Sequence, residues 1–381
     1  MPHSRTLNDP CSQIFALFHT DVATNLEDWV LGTGYWLLST GNWLLGTISH
    51  YTVPGMKILV TGGAGYIGSV VCAELLRAGH KVVVYDNFSH GYRRAVARGA
   101  EVVTGEVGDR EALGAALQRQ RPDAVMHFAA LIEAGESMKF PERFFRNNTA
   151  ATLNLLECML QHGPRRLVFS STAALYGNPE RTPIEEEAAL RPTNAYGESK
   201  LLVERMLDWF HQIHGLRYAS LRYFNAAGGA GELGEDHRPE SHLIPLILQV
   251  ALGKREKISI YGTDYDTPDG TCVRDYIHVL DLASAHALAL EALAERDRLI
   301  YNLGNGRGFS VRQVVQVARK VTGHAIPAED APRRPGDPAV LVASSEKIRR
   351  ELGWQPKYPQ LEQIVSSAWK WRREHPNGYE Q

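Results

Sequence analysis

In the run Tyr196-Gly-Glu-Ser-Lys200 a phenol and an amine stand four residues apart, and on a helix two such side chains share one face. A pair of this kind can act as a single base. A free tyrosine titrates near pH ~10, so at neutral pH it holds the proton that a base must be ready to accept. Two unit charges about 4 Å apart at an effective dielectric of ~20 interact by roughly 4 kcal/mol, and each pKa unit is worth about 1.4 kcal/mol. An adjoining ammonium is therefore expected to bring Tyr196 towards ~7, where a general base works best. The spacing alone recurs by chance, and it gains weight from a glycine pattern about 130 residues upstream.

That pattern needs a strand before it and a helix after it. Met56-Lys-Ile-Leu-Val-Thr61 is a short apolar, branched run that predicts a buried parallel strand, and Gly62-Gly-Ala-Gly65-Tyr-Ile-Gly68 follows at once. A helix is expected from Ser69 to Arg77, ending at Gly79. Gly62 and Gly65 permit a tight turn and close backbone approach to a pyrophosphate, while Gly68 lets the helix pack on the strand. The helix N-terminal amides then face the negative charge. A second strand, Lys81-Val-Val-Val-Tyr85, ends in Asp86, 18 residues past Gly68, where a carboxylate can hold the adenosine ribose hydroxyls. Asp86 would repel a 2′-phosphate and so favours NAD over NADP; Arg93 and Arg94, which could argue otherwise, are expected to be solvated surface.

His127-Phe-Ala-Ala130, Ser170-Ser-Thr172, Tyr196 to Lys200 and Arg222-Tyr-Phe-Asn225 come in the order found in extended short-chain dehydrogenases/reductases. Leu243-Ile-Pro245, the long run from Tyr265 to Val279, Tyr301-Asn-Leu-Gly304 and Arg333-Arg-Pro-Gly-Asp337 narrow this, and from Met56 onward the chain resembles the UDP-glucose (UDP-galactose) 4-epimerase family. The resemblance implies NAD as cofactor, with contacts from Gly62, Gly65, Tyr66, Ile67, Gly68, Asp86, Asn87, Glu106, Val107, Phe128, Ala129, Ala130, Asn147, Ser170, Tyr196, Lys200 and Tyr223. It also implies the chemistry. Tyr196 would take the proton of the sugar 4-hydroxyl while hydride leaves C4, Lys200 would hold ribose hydroxyls and depress the phenol, and Thr172 would hydrogen-bond the same 4-hydroxyl. The 4-keto sugar then turns about its pyrophosphate link and receives the hydride on its other face.

That scheme requires UDP to be clamped while the hexose turns. By the same resemblance Arg274 and Arg334 would meet the diphosphate, Asp337 the uridine ribose, Asn225 the diphosphate or sugar, and Tyr261 the uracil, with Leu243 and Tyr301 also at the substrate. On the residues alone, Arg274 could equally pair with Asp275, Asn225 form a turn and Tyr261 sit in the core. Tyr301 matches a position where a bulky residue disfavours N-acetylated sugars, which favours UDP-glucose and UDP-galactose over N-acetylhexosamines. Three positions depart from the family: Glu106 replaces a usual aspartate, Ile132 a lysine of some members, and His242 an asparagine of others. None lies at the hydride-transfer step.

Among relatives by chemistry, a nucleotide-sugar 4,6-dehydratase needs an acid and base after the threonine, but Thr172 is followed by Ala173 and Ala174. A UDP-pentose 4-epimerase differs too little in its motifs to be separated, and a non-catalytic NAD-sensing protein would usually lack the tyrosine and lysine pair.

At 381 residues with net charge −2, the chain is long enough for two domains and offers no field for nucleic acid. Cys11, Cys72, Cys158 and Cys272 show no C-x-x-C or metal-ligand spacing and read as reduced thiols of a cytoplasmic protein, with no metal expected. Residues 1–55 do not fit the rest. Trp29, Trp36 and Trp43 recur every seven residues among glycines and threonines that oppose a helix, and the uncharged stretch from Trp29 to Ser49 is a poor membrane span. The expectation is a non-native or disordered extension, with Met56 as the native start and no membrane association.

Further strands are expected at Glu101 to Thr104, Ala124 to Phe128, Arg166 to Ser170 and Tyr218 to Tyr223, with helices at Ala150 to Gln161 and Tyr196 to His211. The alternation predicts an α/β fold: a Rossmann-type doubly wound parallel sheet over 56–230, then a smaller mixed α/β substrate domain over 231–381. Gly228 to Gly234 would be a lid or linker between them, and 275–293 would pack back on the first domain. A homodimer is expected, with Ala150 to Leu160 as a contact helix.

Overall fold

The structure, a computed structural model, describes residues 55–334 and 337–380. The expectation for residues 1–55 therefore lies outside the described residues, Gly55 apart. Six strands come in chain order: β1 (Lys57–Thr61), β2 (Lys81–Asp86), β3 (Glu101–Thr104), β4 (Ala124–His127), β5 (Arg166–Thr172) and β6 (Arg217–Tyr223). They join the strand Arg298–Leu303 in one seven-stranded parallel sheet of order (298–303)-β6-β5-β4-β1-β2-β3. The order reverses direction between β1 and β4, which opens a crevice at the carboxyl ends of those strands.

The apolar runs read as strands because both faces are covered. In β1, Ile58 and Val60 enter one core with Val70, Val82, Val84 and Leu282, and Leu59 enters the other with Val83, Leu155, Leu156, Phe169 and Val203. This is the two-residue alternation of a strand buried on both sides. Helices Tyr66–Arg77 and Val279–Ala292 lie together on the first face. The segment 275–293, expected to return to the first layer, thus forms the end of strand Val273–His278 and that second helix. Strand Arg298–Leu303 returns as well, pairing with β6, which a boundary at 230 did not anticipate.

Element ends differ from the sequence reading in a few places. The first helix starts at Tyr66, not Ser69: Gly65 is its extended N-cap, so Gly68 sits in the first turn. β5 continues two residues past Ser170 to Thr172. The helix Ala151–His162 is preceded by a π-wound segment, Phe145–Ala150, and the helix of Tyr196 runs from Ala195 to His214.

Beyond β6, strand Asn225–Ala227 pairs with Val273–His278, which also pairs with Gly308–Ser310 and Val340–Leu341. Helices Leu243–Ala251, Val311–Thr322 and Leu361–Glu374 enclose a separate core around Ile247, Val314 and Ile364. The glycines from 228 to 234 are not a free linker. A Cβ on Gly229 would lie 2.8 Å from the Ser367 carbonyl oxygen, so the chain here needs glycine to lie against the last helix. Among the described residues no helix is long and apolar enough to cross a membrane.

Candidate active site

The C-terminal end of β5 carries the first reacting groups. Ser171 turns inward to donate to Glu204 Oε1 at 2.6 Å, so by alternation Ser170 and Thr172 face the crevice. Thr172 Oγ1 accepts from Ala174 N at 3.1 Å, which holds it at the head of a short 3₁₀ turn. Tyr196 lies in the first turn of its helix, fixed by the Asn194 cap, whose Oδ1 accepts from Gly197 N at 2.8 Å, and by donation of its own N–H to Ser137 Oγ at 3.0 Å. One turn on, the buried Lys200 donates from Nζ to the Ser170 carbonyl at 2.8 Å and lies 4.8 Å from the centre of the Phe169 ring. Glu204, a further turn along, is buried against Arg222 of β6 at 2.5 Å, with Ser220 also donating to it. The helix bearing Tyr196 is thereby tied to both β5 and β6.

The electrostatics correct one expectation. Burial raises the Tyr196 phenol above its ordinary value; the neighbouring Thr172 hydroxyl works against that shift, and the Glu133 carboxylate adds to it. Burial also lowers Lys200 to about 7, so this amine is not the full cation that the sequence argument assumed. Both groups are held away from their charged forms by the same desolvation. His127, buried between Thr61 Oγ1 at 2.6 Å and Thr152 Oγ1 at 2.8 Å, is pushed down to about 3 by burial and by the nearby Lys200.

The glycine turn fits a dinucleotide. Gly62 has φ +71, and a Cβ there would lie 2.5 Å from Ala129 N; a Cβ on Gly68 would lie 2.2 Å from the Gly62 carbonyl oxygen. The turn is therefore closed to any side chain at these two positions. Asp86 accepts from Ala64 N at 3.0 Å and Phe88 N at 2.8 Å, which fixes its carboxylate between the turn and the crevice. Glu106, one of the expected NAD contacts, accepts from Asn87 Nδ2.

Every residue expected to touch the dinucleotide, from Gly62 through Asp86 and Asn147 to Tyr223, lines one cleft of about 400 Å³, together with Thr172, Asn225 and Leu243. Asp86 lines it and Arg93 and Arg94 do not. Of the other expected substrate contacts, Arg274 lies beside Asp337, 3.7 Å apart, and the Arg334 guanidinium stacks 4.0 Å over the Tyr261 ring. Arg274 shares a strand face with Tyr276, two residues on, which does line the cleft. Asp275, weighed as a surface partner of Arg274, faces the opposite way: its buried carboxylate accepts from the backbone of Asn305, Gly306 and Ala343.

Tyr301 is a correction. It is 0% exposed in the core, where its strand turns it towards helix Glu346–Leu352, and its hydroxyl donates to Glu351 Oε2 at 2.8 Å. It lies outside the cleft, so the argument it offered against N-acetylated sugars lapses. Sequence reasoning also missed Glu133, Glu235, His237 and Tyr276 on the cleft wall. Glu133 follows the His127-Phe-Ala-Ala130 motif by three residues, and the charged run Glu235 to His242 breaks off an otherwise glycine-rich stretch. Those two signals were available.

A model of the NAD dependent epimerase/dehydratase family matches residues 58–304. The chain is 53% identical to a UDP-glucose 4-epimerase of Halalkalibacterium halodurans, over 85% of this chain and 98% of that one. Its fold is similar to the crystal structure of UDP-glucose 4-epimerase from Brucella ovis in complex with NAD, with TM-score 0.81, 43% identity, and 86% and 99% of the two chains covered. It is also similar to that of the Bifidobacterium longum enzyme in complex with NAD+ and UDP, with TM-score 0.81, 38% identity, and 84% and 99% covered.

Proposed function

The chain belongs to the NAD dependent epimerase/dehydratase family, and on that premise we propose that it is an NAD-dependent 4-epimerase interconverting UDP-glucose and UDP-galactose through a 4-keto sugar. One observation carries the reading. Thr172, Tyr196 and Lys200 open into the same cleft as the glycine turn and Asp86, so proton-transfer groups and dinucleotide cradle share one space.

Bound NAD supplies a hydride acceptor that later returns the hydride. The chain's residues supply the rest. Tyr196 takes the 4-hydroxyl proton and gives it back, and Thr172 holds that hydroxyl in line. Lys200, anchored on the Ser170 carbonyl, reaches the ribose hydroxyls and stands one helical turn from the phenol. Since burial disfavours the phenolate, forming the base calls for a positive charge beside it, which the protonated form of Lys200 supplies. Asn225 and Arg274 hold the diphosphate with Arg334, while Tyr261, Asp337 and Leu243 take the uridine. The part from 231 onward, apart from the segments 279–292 and 298–303 that return to the first sheet, thus serves as the nucleotide-sugar domain.

The enzyme works in the cytoplasm as a homodimer. Free, buried Cys72, Cys158 and Cys272 support the first statement. Trp209 and Ile213, 61% and 66% exposed on one helix, and Leu153 on the helix beside it support the second.

Incubation with UDP-galactose carrying deuterium at C4, followed by NMR, tests the proposal. UDP-glucose retaining the label is expected; no conversion, or loss of the label to solvent, overturns it.

A further inference from the structure

Glu235, His237, Glu240 and His242 fall within eight residues, three of them (Glu235, His237 and His242) on the wall of the cleft, and none of them is needed for the proton and hydride steps above. Their candidate ligand atoms all lie within 4.8 Å of one another. Glu235 Oε1 is 3.3 Å from His237 Nδ1 and 2.9 Å from His242 Nδ1, and Glu240 Oε2 is 3.8 Å from His237 Nδ1. Zinc bound tetrahedrally by imidazole and carboxylate, with bonds of about 2.0 to 2.2 Å, sets its ligand atoms roughly 3.4 Å apart. The observed spacings bracket that value.

Two further observations point to a missing ligand. The Glu240 side chain is only 4% exposed, and its Oε2 has no hydrogen-bond partner; His237 Nδ1, also buried, has none either. Buried polar atoms are rarely left so, since each unpaired group costs about 1–3 kcal/mol. The other oxygen of Glu240 is already held, accepting from Ser241 N at 2.8 Å and His242 N at 2.9 Å and lying 3.2 Å from His242 Nδ1, which aims Oε2 inward in the way that outer hydrogen bonds orient metal-binding carboxylates. Among the described residues no lysine or arginine pairs with either carboxylate: Arg238 turns to Asp236, and Arg372 reaches Asp236 and the Glu235 backbone carbonyl. Two carboxylates and two imidazoles thus surround a point that holds no protein cation of fixed charge. A dication there replaces two protons with no change in the cluster's net charge.

We propose that Glu235, His237, Glu240 and His242 bind one divalent cation of the zinc class, which clips the segment 234–243 into the cleft wall. Four protein ligands close the coordination sphere, so the site is structural, without an open position for Lewis-acid chemistry. The clip has a target within reach: the His237 ring stands edge-on to Tyr66 of the glycine turn, centroids 6.4 Å apart. His242 is also the N-cap of the helix that carries Leu243. Metal loading therefore sets how the dinucleotide side and the uridine side of the cleft face each other.

The test uses tag-free full-length protein stripped with a chelator. Titration with Co2+ is expected to give the intense visible d–d bands of four-coordinate cobalt, ending at one equivalent and abolished by one equivalent of Zn2+. Zn2+ should also raise Tm. Glu240→Gln and His237→Gln, checked for native circular dichroism, should lose the bands and the Tm shift. X-ray absorption of the zinc-loaded wild type, which does not depend on either variant folding, should show two imidazoles and two oxygens. The proposal is overturned by an absence of bands and of any Tm shift in the wild type, by equal binding in both variants, or by a zinc shell without two imidazoles. The cluster would then be an ion-paired network of histidines and glutamates. None of these readouts depends on turnover, so the epimerase reading stands or falls separately.

Discussion

Glu204 and Arg222 form an ion pair at 2.5 Å in which both side chains are buried, and it locks the helix carrying Tyr196 to the strand that ends beside the cleft. Ser171 and Ser220 donate to the same Glu204 oxygen, and the Tyr176 hydroxyl stands 2.9 Å from Arg222 Nη1, so both partners are held in a network. The pair lies two helical turns beyond Tyr196 and touches no substrate.

Glu204→Ala is expected to destabilise the fold by about 3–5 kcal/mol, because it strands a buried guanidinium. Replacing both partners, as Glu204→Leu with Arg222→Met, should cost less than the single change. Chemical denaturation of the three variants measures this, and a double variant no better than the single would show that the pair itself is not the source of the effect.

Tyr196→Phe removes the phenol that stands beside Thr172. We expect kcat for UDP-galactose to fall by about 10²-fold or more, with NAD affinity changed only a few-fold. A wild-type rate in this variant would mean that another group takes the proton.

Lys200→Met should be inactive yet more stable than the wild type at neutral pH. An unfolded lysine keeps its proton until ~10.4, whereas burial makes Lys200 release it near about 7 in the fold. Between those values the unfolded state binds more protons, so wild-type stability falls as pH drops from about 10 to 7. Methionine carries no such penalty. A gain on the order of 1–3 kcal/mol at pH 7, shrinking towards pH 10, is expected from Tm measured across that range. A variant less stable than wild type at pH 7 would refute the assignment of Lys200 as a desolvated amine.

Acid should unfold the protein through its neutral histidines. His127 is lowered to about 3, and His278 and His286 to about 4, in each case chiefly by burial. In an unfolded chain they protonate near ~6.5, so their contribution is complete above that pH and is lost as pH falls towards 3–4. Stability should drop by a few kcal/mol between about pH 6.5 and 4, and His127→Asn should flatten the profile. An unchanged slope in that variant would place the proton uptake elsewhere.

What the sequence made legible was local in character. Strand, glycine turn, helix, strand and acid could be read because Gly62 and Gly68 each satisfy a backbone demand that no side chain can meet. Thr172, Tyr196 and Lys200 could be read because a strand end and one helix face fix their directions. Tyr301 was misplaced for the converse reason: a matching motif names a position on a strand, but only the covering layers decide which face points to the cleft. The expected depression of the Tyr196 phenol treated Lys200 as a charge in open surroundings, whereas desolvation acts on both groups at once. The grouping of Glu235, His237, Glu240 and His242 depends on how the chain folds back at Pro239, which spacing alone does not reveal.

The strand Arg298–Leu303 lies at the open side of β6, yet some 75 residues of chain separate the two. On a ribosome, everything that shapes the nucleotide cradle emerges long before the strip that seals its flank. Until then β6 is an unprotected margin, able to zip onto another nascent copy. Premature termination anywhere before residue 303 should therefore yield not a smaller working domain but sticky, chaperone-bound material.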